Sequence, residues 1–238
     1  MRASAMLLTV VLATACGNGG GEPLVDAGKA PPSVSPSLEG SKKTERFPKV
    51  AGPLEPSTYS TARFRPGFSL GIPAGWRLLN TEDRYSLSLA HGPTTDLIVG
   101  FIRPVRVVKY GERLSGPTGF RNDQLLPVPD DFVAWLTDHP GMEAGPPERV
   151  ELGGVEATRI DLLITDGYRH VGCPALCTYL FVTPSADVLA NVGTKIRAYI
   201  IENRGETLLV GALAPKRRFA ALVAKAESLF AGLELLNP

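Results

Sequence analysis

The chain has 238 residues and carries 25 Lys plus Arg against 24 Asp plus Glu. No global field would hold it on nucleic acid or on an acidic membrane, so nucleic acid is not an expected partner. The length, less a leader and a tail, suits one domain of ordinary size able to bury a core without help.

At the start, Arg2 is the only charge before an apolar run from Ala5 to Val11. That run is far too short to span a bilayer but suits the core of a secretory signal. Ala13-Thr14-Ala15-Cys16 follows, and it resembles a bacterial lipobox, with Ala13 where Leu is most often found and Leu12 beside it. The resemblance implies cleavage before Cys16, a diacylglyceryl thioether on its sulfur and acylation of the new amino terminus. Residues 1–15 are therefore expected to be a lipoprotein signal, Cys16 the lipidation site, and the membrane a partner through that anchor. The alternative is an ordinary signal cut after Ala15; the run of Gly17, Gly19, Gly20 and Gly21 favours a flexible exit from a lipid anchor. Gly17 after the cysteine resembles the sorting signal for the outer membrane of a diderm bacterium. In a monoderm the protein would sit on the outer face of the plasma membrane.

From residue 17 to about residue 62 no helical or strand period is sustained, and stretches such as Pro31-Pro32-Ser33-Val34-Ser35-Pro36 dominate. This predicts a lipidated disordered tether over residues 16–62 and a folded domain over 63–238. Phe68 to Ile72 reads as a strand, Pro73-Ala74-Gly75 as a turn, and Trp76 as a return to the core. Ser86 to Leu89 and the more continuously apolar Leu97 to Ile102 are expected to pair antiparallel. Pro104 to Pro129 is expected as a long irregular excursion bearing Arg106, Lys109, Arg113 and Arg121 just after Arg103, a place where function often sits. Asp130 is a helix N-cap candidate before Phe132 to Leu136, which His139-Pro140 stops.

Two hairpins follow. The first is Glu148 to Leu152 and Val155 to Ile164 about Gly153-Gly154, with Ile160, Leu162 and Ile164 on one face. The second joins Lys195 to Asn203 with Thr207 to Leu213, and its nearly continuous apolar arms predict burial on both faces. Between them Tyr179 to Val182 reads as a strand, followed by a loop to Gly193. A last helix from about Pro215 to Gly232 carries Phe219, Leu222, Val223, Ala226, Phe230 and Leu233 on one stripe that needs a sheet to cover. The expected class is α+β, one antiparallel sheet of about six to eight strands with helices packed on it.

The strand and Pro-x-Gly-Trp turn of Phe68 to Trp76, the middle helix, the twin hairpins and the closing amphipathic helix resemble the PsbP-like domain, an α/β/α sandwich of bacterial surface lipoproteins and photosystem extrinsic proteins. Trp135-Leu136 with His139-Pro140, then Val150-x-Leu-Gly-Gly, Asp161, paired cysteines and a final hairpin resemble uncharacterised exported proteins of high-GC bacteria. Neither resemblance carries over a catalytic residue, and fold alone does not give function.

No nucleophile elbow, zincin helix, Walker loop or dinucleotide fingerprint is present, and no cofactor is implied. His91 and His139 read as turn or helix-end residues. Cys173 and Cys177 remain as one pair in an exported, disulfide-permissive compartment, and a tight loop brings residues four apart to about 6 Å between Cα atoms, within disulfide range. The expectation is a structural bond. Two function classes follow: a non-catalytic, tethered module that binds or assembles with another envelope protein or ligand, or a metal or thiol-redox role through His170, Cys173 and Cys177. A weak anion-binding spot is expected at Lys216, Arg217 and Arg218, where cations oppose the helix dipole beside free N–H groups.

Overall fold

The computed structural model describes residues 44–112, 120–169, 176–203 and 205–236. In chain order these form β1 (Thr44–Arg46), β2 (Gly52–Pro53), β3 (Ser57–Ser60), β4 (Gly67–Ile72), β5 (Trp76–Leu78), β6 (Ser86–His91), β7 (Ile98–Ile102) and β8 (Arg106–Val108). A 3-10 turn (Asn122–Gln124) leads into β9 (Leu125–Pro127), α1 (Phe132–Thr137), β10 (Met142–Ala144), β11 (Glu148–Leu152) and β12 (Val155–Ile164). Then come β13 (Tyr168–Arg169), β14 (Leu176–Val182), β15 (Asp187–Asn191), β16 (Thr194–Asn203) and β17 (Glu206–Pro215). A second 3-10 turn (Lys216–Arg218) precedes α2 (Phe219–Phe230), and β18 (Leu233–Leu236) closes the described chain.

The central sheet is antiparallel and nine-stranded, in the order β10-β12-β16-β17-β7-β6-β5-β2, with β11 also paired to β12. Its middle is the twin-hairpin region. Gly153 and Gly154, with φ of 62° and 82°, make the tight turn between β11 and β12, a conformation that penalises any residue with a Cβ. The β16–β17 hairpin runs in unbroken register from Thr194↔Pro215 to Asn203↔Glu206. Both its faces are buried, as its apolar arms require. Tyr199, Ile201, Leu208, Val210 and Ala212 belong to one core, while Ile196, Ala198, Ile200 and Leu209 belong to the other.

Each core has its own cover. On the first face lie α2 and a four-stranded sheet, β1-β3-β4-β18, antiparallel except for the β1–β3 pair. The α2 stripe expected from the sequence is buried throughout, with Leu233 supplied by β18 rather than by the helix. Phe68 of β4 stacks on Phe101 of β7 with centroids 4.3 Å apart, and Phe101 meets Phe230 edge-on. On the second face lie α1 and a third sheet, β13-β14-β8-β9 with β15 on β14, burying Phe132, Leu136, Leu180 and Phe181 against Ile160, Leu162 and Ile164. The α+β expectation of an antiparallel sheet covered by helices is observed, with two smaller sheets completing the covers.

Four boundaries differ from the sequence reading. Folded structure begins by Thr44 rather than at residue 63, because Phe47, Leu54 and Tyr59, set among polar and Pro-rich neighbours, each bury to about 5% exposure in the first core. The helix N-cap is Asp131 rather than Asp130, its carboxylate accepting the Ala134 N–H at 2.8 Å. The excursion after Pro104 is not wholly irregular, since β8 and β9 pair with each other and β8 pairs with β14. The loop after Val182 holds β15, an edge strand too short and mixed to show a period.

Candidate binding cleft

The second face of the central sheet is covered unevenly. The third sheet and α1 sit over β12 and β16, and toward β6 and β7 they leave an apolar cleft. Alternation along the strands decides its floor. Leu97, Val99 and Phe101 point to the first core, so Ile98, Gly100 and Ile102 face the cleft, beside Leu209, Gly211 and Leu213 of β17. Gly100 and Gly211 are direct cross-strand partners, so the floor lacks side chains on two adjacent strands at once.

The opposite wall depends on an irregularity in β14. Pairing with β15 shifts between Tyr179 and Phe181, leaving Leu180 as the extra residue. A bulge breaks the two-residue alternation, and Leu180 and Phe181 consequently both turn into the second core, whereas Cys177 and Tyr179 belong to a separate small cluster. Thr183 then closes the turn into β15: its N–H donates to the Ala186 carbonyl at 2.8 Å and its Oγ1 accepts the Ala186 N–H at 2.9 Å. This fixes Val188 and Asp187 at the cleft.

The rim is polar. Ser86 and Ser88 alternate on β6 with the core residues Leu87 and Leu89, and Asn80 ties them together, its Nδ2 donating to Ser86 Oγ at 3.3 Å and its Oδ1 accepting the Ser88 N–H at 2.7 Å. Across from them, burial pushes the Asp187 carboxyl above its ordinary range, as expected where a charged form loses water without a countercharge. The cavity measures about 80 Å³, room for roughly half a dozen waters or a short apolar tail by the volume each water needs. The arrangement suits the apolar end of an amphiphile, with hydroxyl, amide and carboxylate groups left at the mouth.

Those residues singled out from the sequence that are described lie elsewhere. Cys16, His170 and Cys173 fall outside the described residues. Cys177 is fully buried, in the cluster with Val108, Tyr179 and Leu189. Lys216, Arg217 and Arg218 are exposed, but they occupy the 3-10 turn before α2 rather than the helix itself, and Arg218 pairs with Asp96. His91 ends β6 edge-on to Trp76, and His139 follows α1 with its Nδ1 accepting the Gly141 N–H at 3.1 Å. Burial lowers the pKa of both, with Lys225 adding to the effect at His91. Among the described residues no group of acidic, His and Cys side chains is placed to hold a metal ion. The cleft residues escaped sequence reading because a bulge and a glycine pair show as ordinary apolar strand. The one legible signal was Gly100 and Gly211 at mid-strand, where glycine often marks close approach or an absent side chain.

No protein-family model matches the chain, and no curated protein matches it in sequence. Among solved structures it is similar to cyanobacterial PsbP (CyanoP) from Synechocystis sp. PCC 6803, with 13% identity and a TM-score of 0.39, over 76% of this chain and 94% of that one. It is also similar to LpqN, involved in cell envelope biogenesis of Mycobacterium tuberculosis, with 14% identity and a TM-score of 0.33, over 78% of this chain and 90% of that one. At these values neither likeness assigns a ligand or an activity to this chain.

Proposed function

We propose that the chain is an exported lipoprotein, anchored in the cell envelope through Cys16, whose domain is a non-catalytic binding module for an amphiphilic envelope component. The signal spans residues 1–15, the tether begins at Cys16 and ends before Thr44, and Cys173 and Cys177 form a structural disulfide at the approach to β14. The observation that carries the binding role is the Gly100–Gly211 pair, which strips side chains from the sheet where the third sheet stands off and a polar rim begins. Anchoring complements this. A single acyl chain binds a membrane only marginally, whereas the multiple acylation implied at Cys16 holds the domain beside its ligand's source.

The cleft is tested by filling it. Gly211 has no positive φ, and a Cβ there finds its nearest atoms at 3.7 to 3.9 Å, ordinary contact, so larger side chains extend into the cavity without straining the backbone. Wild-type protein is expected to bind N-phenyl-1-naphthylamine saturably, and Gly211→Leu to weaken that binding about tenfold, roughly 1.4 kcal/mol, at an unchanged or raised melting temperature. Equal binding by the two proteins would sink the assignment.

The anchor is tested separately. Cys16→Ser is expected to move the protein from the membrane fraction to the soluble one, since no helix among the described residues is long and apolar enough to cross a membrane. Processed Cys16→Ser protein that still sediments with membranes would count against lipidation at this residue.

A further inference from the structure

His139, in the turn between α1 and β10, is 4% exposed. Its Nδ1 accepts the Gly141 N–H at 3.1 Å, so the neutral ring carries its proton on Nε2, and that atom is buried with no hydrogen-bond partner. Two rings meet it edge-on, Trp135 of α1 at 5.2 Å and Tyr110 of the strap after β8 at 5.4 Å between centroids. A circuit of contacts closes on this ring. The Gly141 carbonyl accepts the N–H groups of Thr165 at 3.0 Å and Asp166 at 3.3 Å, the Asp166 carboxylate accepts the Tyr110 hydroxyl, and Tyr110 returns to His139. Gly141 sits inside the circuit, where a Cβ would lie 3.0 Å from Tyr110 and 3.3 Å from His139. Tyr110 follows β8 of the third sheet, whereas Gly141 and Asp166 flank β10 and β12 of the central one. The circuit therefore ties the two sheets together.

Among the described residues, the groups that face or border His139 are Tyr110 from the strap, Trp135 and the exposed Asp138 from α1, and Asp166 beyond β12, with Tyr168 behind Tyr110 at 6.4 Å. Lys109 and Glu112 of the strap are turned to the 3-10 turn instead, on the Asp123 carbonyl and the Gln124 amide. The Asp166 carboxylate is taken by the Tyr110 hydroxyl and the Gly167 N–H. Its bond with Tyr110 holds the Asp166 carboxyl below its ordinary value and raises the Tyr110 hydroxyl. Of these side chains, histidine is the type that ordinarily titrates between about pH 5 and 8. A second proton on the ring goes to Nδ1, where it faces the Gly141 N–H donor to donor. It also adds a charge in a place where burial already holds the His139 pKa below its ordinary value.

We infer that this circuit is an acid-operated clasp: protonation of His139 at Nδ1 expels the Gly141 N–H and parts the strap at Tyr110 from the α1–β10 turn, freeing the third sheet along this side while both cores stay closed. The clasp is independent of the apolar cleft and does not rest on the cleft reading. Because the open form takes up the proton more readily than the closed one, the clasp holds at neutral pH. It weakens as pH falls through the ordinary histidine value of about 6.5 and is loosest below the depressed value of the closed form.

Full-length protein carrying Cys16→Ser is titrated from about pH 7.5 to about pH 4.5. NMR follows the His139 ring, identified by its loss in His139→Asn, together with the hydrogen-exchange protection of the Gly141 and Asp166 amides and, in the central sheet, of Val210. Protection at Gly141 and Asp166 is expected to fall about tenfold in step with the His139 titration, while Val210 stays protected. His139→Asn sets an amide oxygen where Nδ1 stands and takes up no proton, so it is expected to keep the Gly141 protection of neutral wild type across the whole range. The two wild-type curves test the clasp without relying on any substitution. A His139 midpoint at or above about 6.5, Gly141 protection that stays flat through the His139 titration, a parallel loss at Val210, or a His139→Asn protein that loosens as wild type does would each overturn the inference.

Discussion

Glu82→Ala is expected to cost about 3 kcal/mol of folding free energy, roughly three charge-assisted bonds, one to a buried and two to partly buried amides, at about 1 kcal/mol each. Glu82 is 8% exposed, and its Oε1 accepts the N–H groups of three successive residues, Ala62 at 2.7 Å, Arg63 at 2.5 Å and Phe64 at 2.8 Å. Consecutive amides turned to one side form a concavity that selects an anion, and here the protein supplies its own. The segment so held carries Phe64, fully buried edge-on to Phe68, and joins β3 to β4. Alanine leaves these amides without their acceptor and loosens the turn that seats Phe64. At about 2–4 °C per kcal/mol for a domain of this size the melting temperature should fall by roughly 6–12 °C, measured by circular dichroism. Glu82→Gln, which keeps a neutral acceptor of the same shape, should lose about half as much. A melting temperature for Glu82→Ala within a degree of wild type would show that the carboxylate does not hold this segment.

Arg197→Met is expected to cost about 2 kcal/mol at neutral pH. Arg197 of β16 faces Asp161 of β12 in register and grips it with two bonds, Nε to Oδ1 at 2.8 Å and Nη2 to Oδ2 at 3.0 Å, while its Nη1 pairs with Glu227 of α2. Lys195 adds a contact to Asp161 at 3.3 Å. The side chains of Arg197, Asp161 and Glu227 are 19%, 26% and 40% exposed, so the cost of stranding the carboxylates falls between those of a surface pair and a buried one.

The same group sets a pH signature. Burial pushes the Asp161 carboxyl up, but the bonds and charges of Arg197 and Lys195 outweigh burial and hold it below the usual carboxylate value. A depressed folded-state pKa stabilises above the unfolded value, and that stability is lost as pH falls through the folded one. The difference in urea midpoint between wild type and Arg197→Met should therefore be constant from pH 6 to 8 and shrink below about pH 4, the ordinary carboxylate range. A difference that stays constant down to pH 3 would show that Asp161 is not the titrating partner.

Both networks draw on residues whose roles were invisible in the chain order. Glu82 and the amides it binds are some twenty positions apart, with nothing in either stretch to announce the other. Asp161 was named only within a resemblance, and its ties to Arg197 of β16 and, through Arg197, to Glu227 of α2 join three elements far apart in sequence. Arg103 read as the start of a charged excursion, and burial against Tyr85 is what separates it from its solvated neighbours.

Local pattern by itself determined the elements whose signals are short-range: the Gly153-Gly154 turn, the two long hairpins, the strand before Trp76 and the apolar stripe of α2. In each, the residues that specify the conformation lie within a few positions of one another, so periodicity and turn chemistry suffice. The proposed signal over residues 1–15 and the proposed lipidation at Cys16 are likewise read from linear features alone. Only the tertiary structure decided which strands share a sheet, that Phe47, Leu54 and Tyr59 bring residues after Thr44 into the core, and that the bulge at Leu180 and the glycine pair at Gly100 and Gly211 meet across a cleft. Those outcomes depend on side chains far apart in sequence competing for the same buried surface. That competition is settled by the volume, charge and hydrogen-bond satisfaction of the assembled core, which no local window contains.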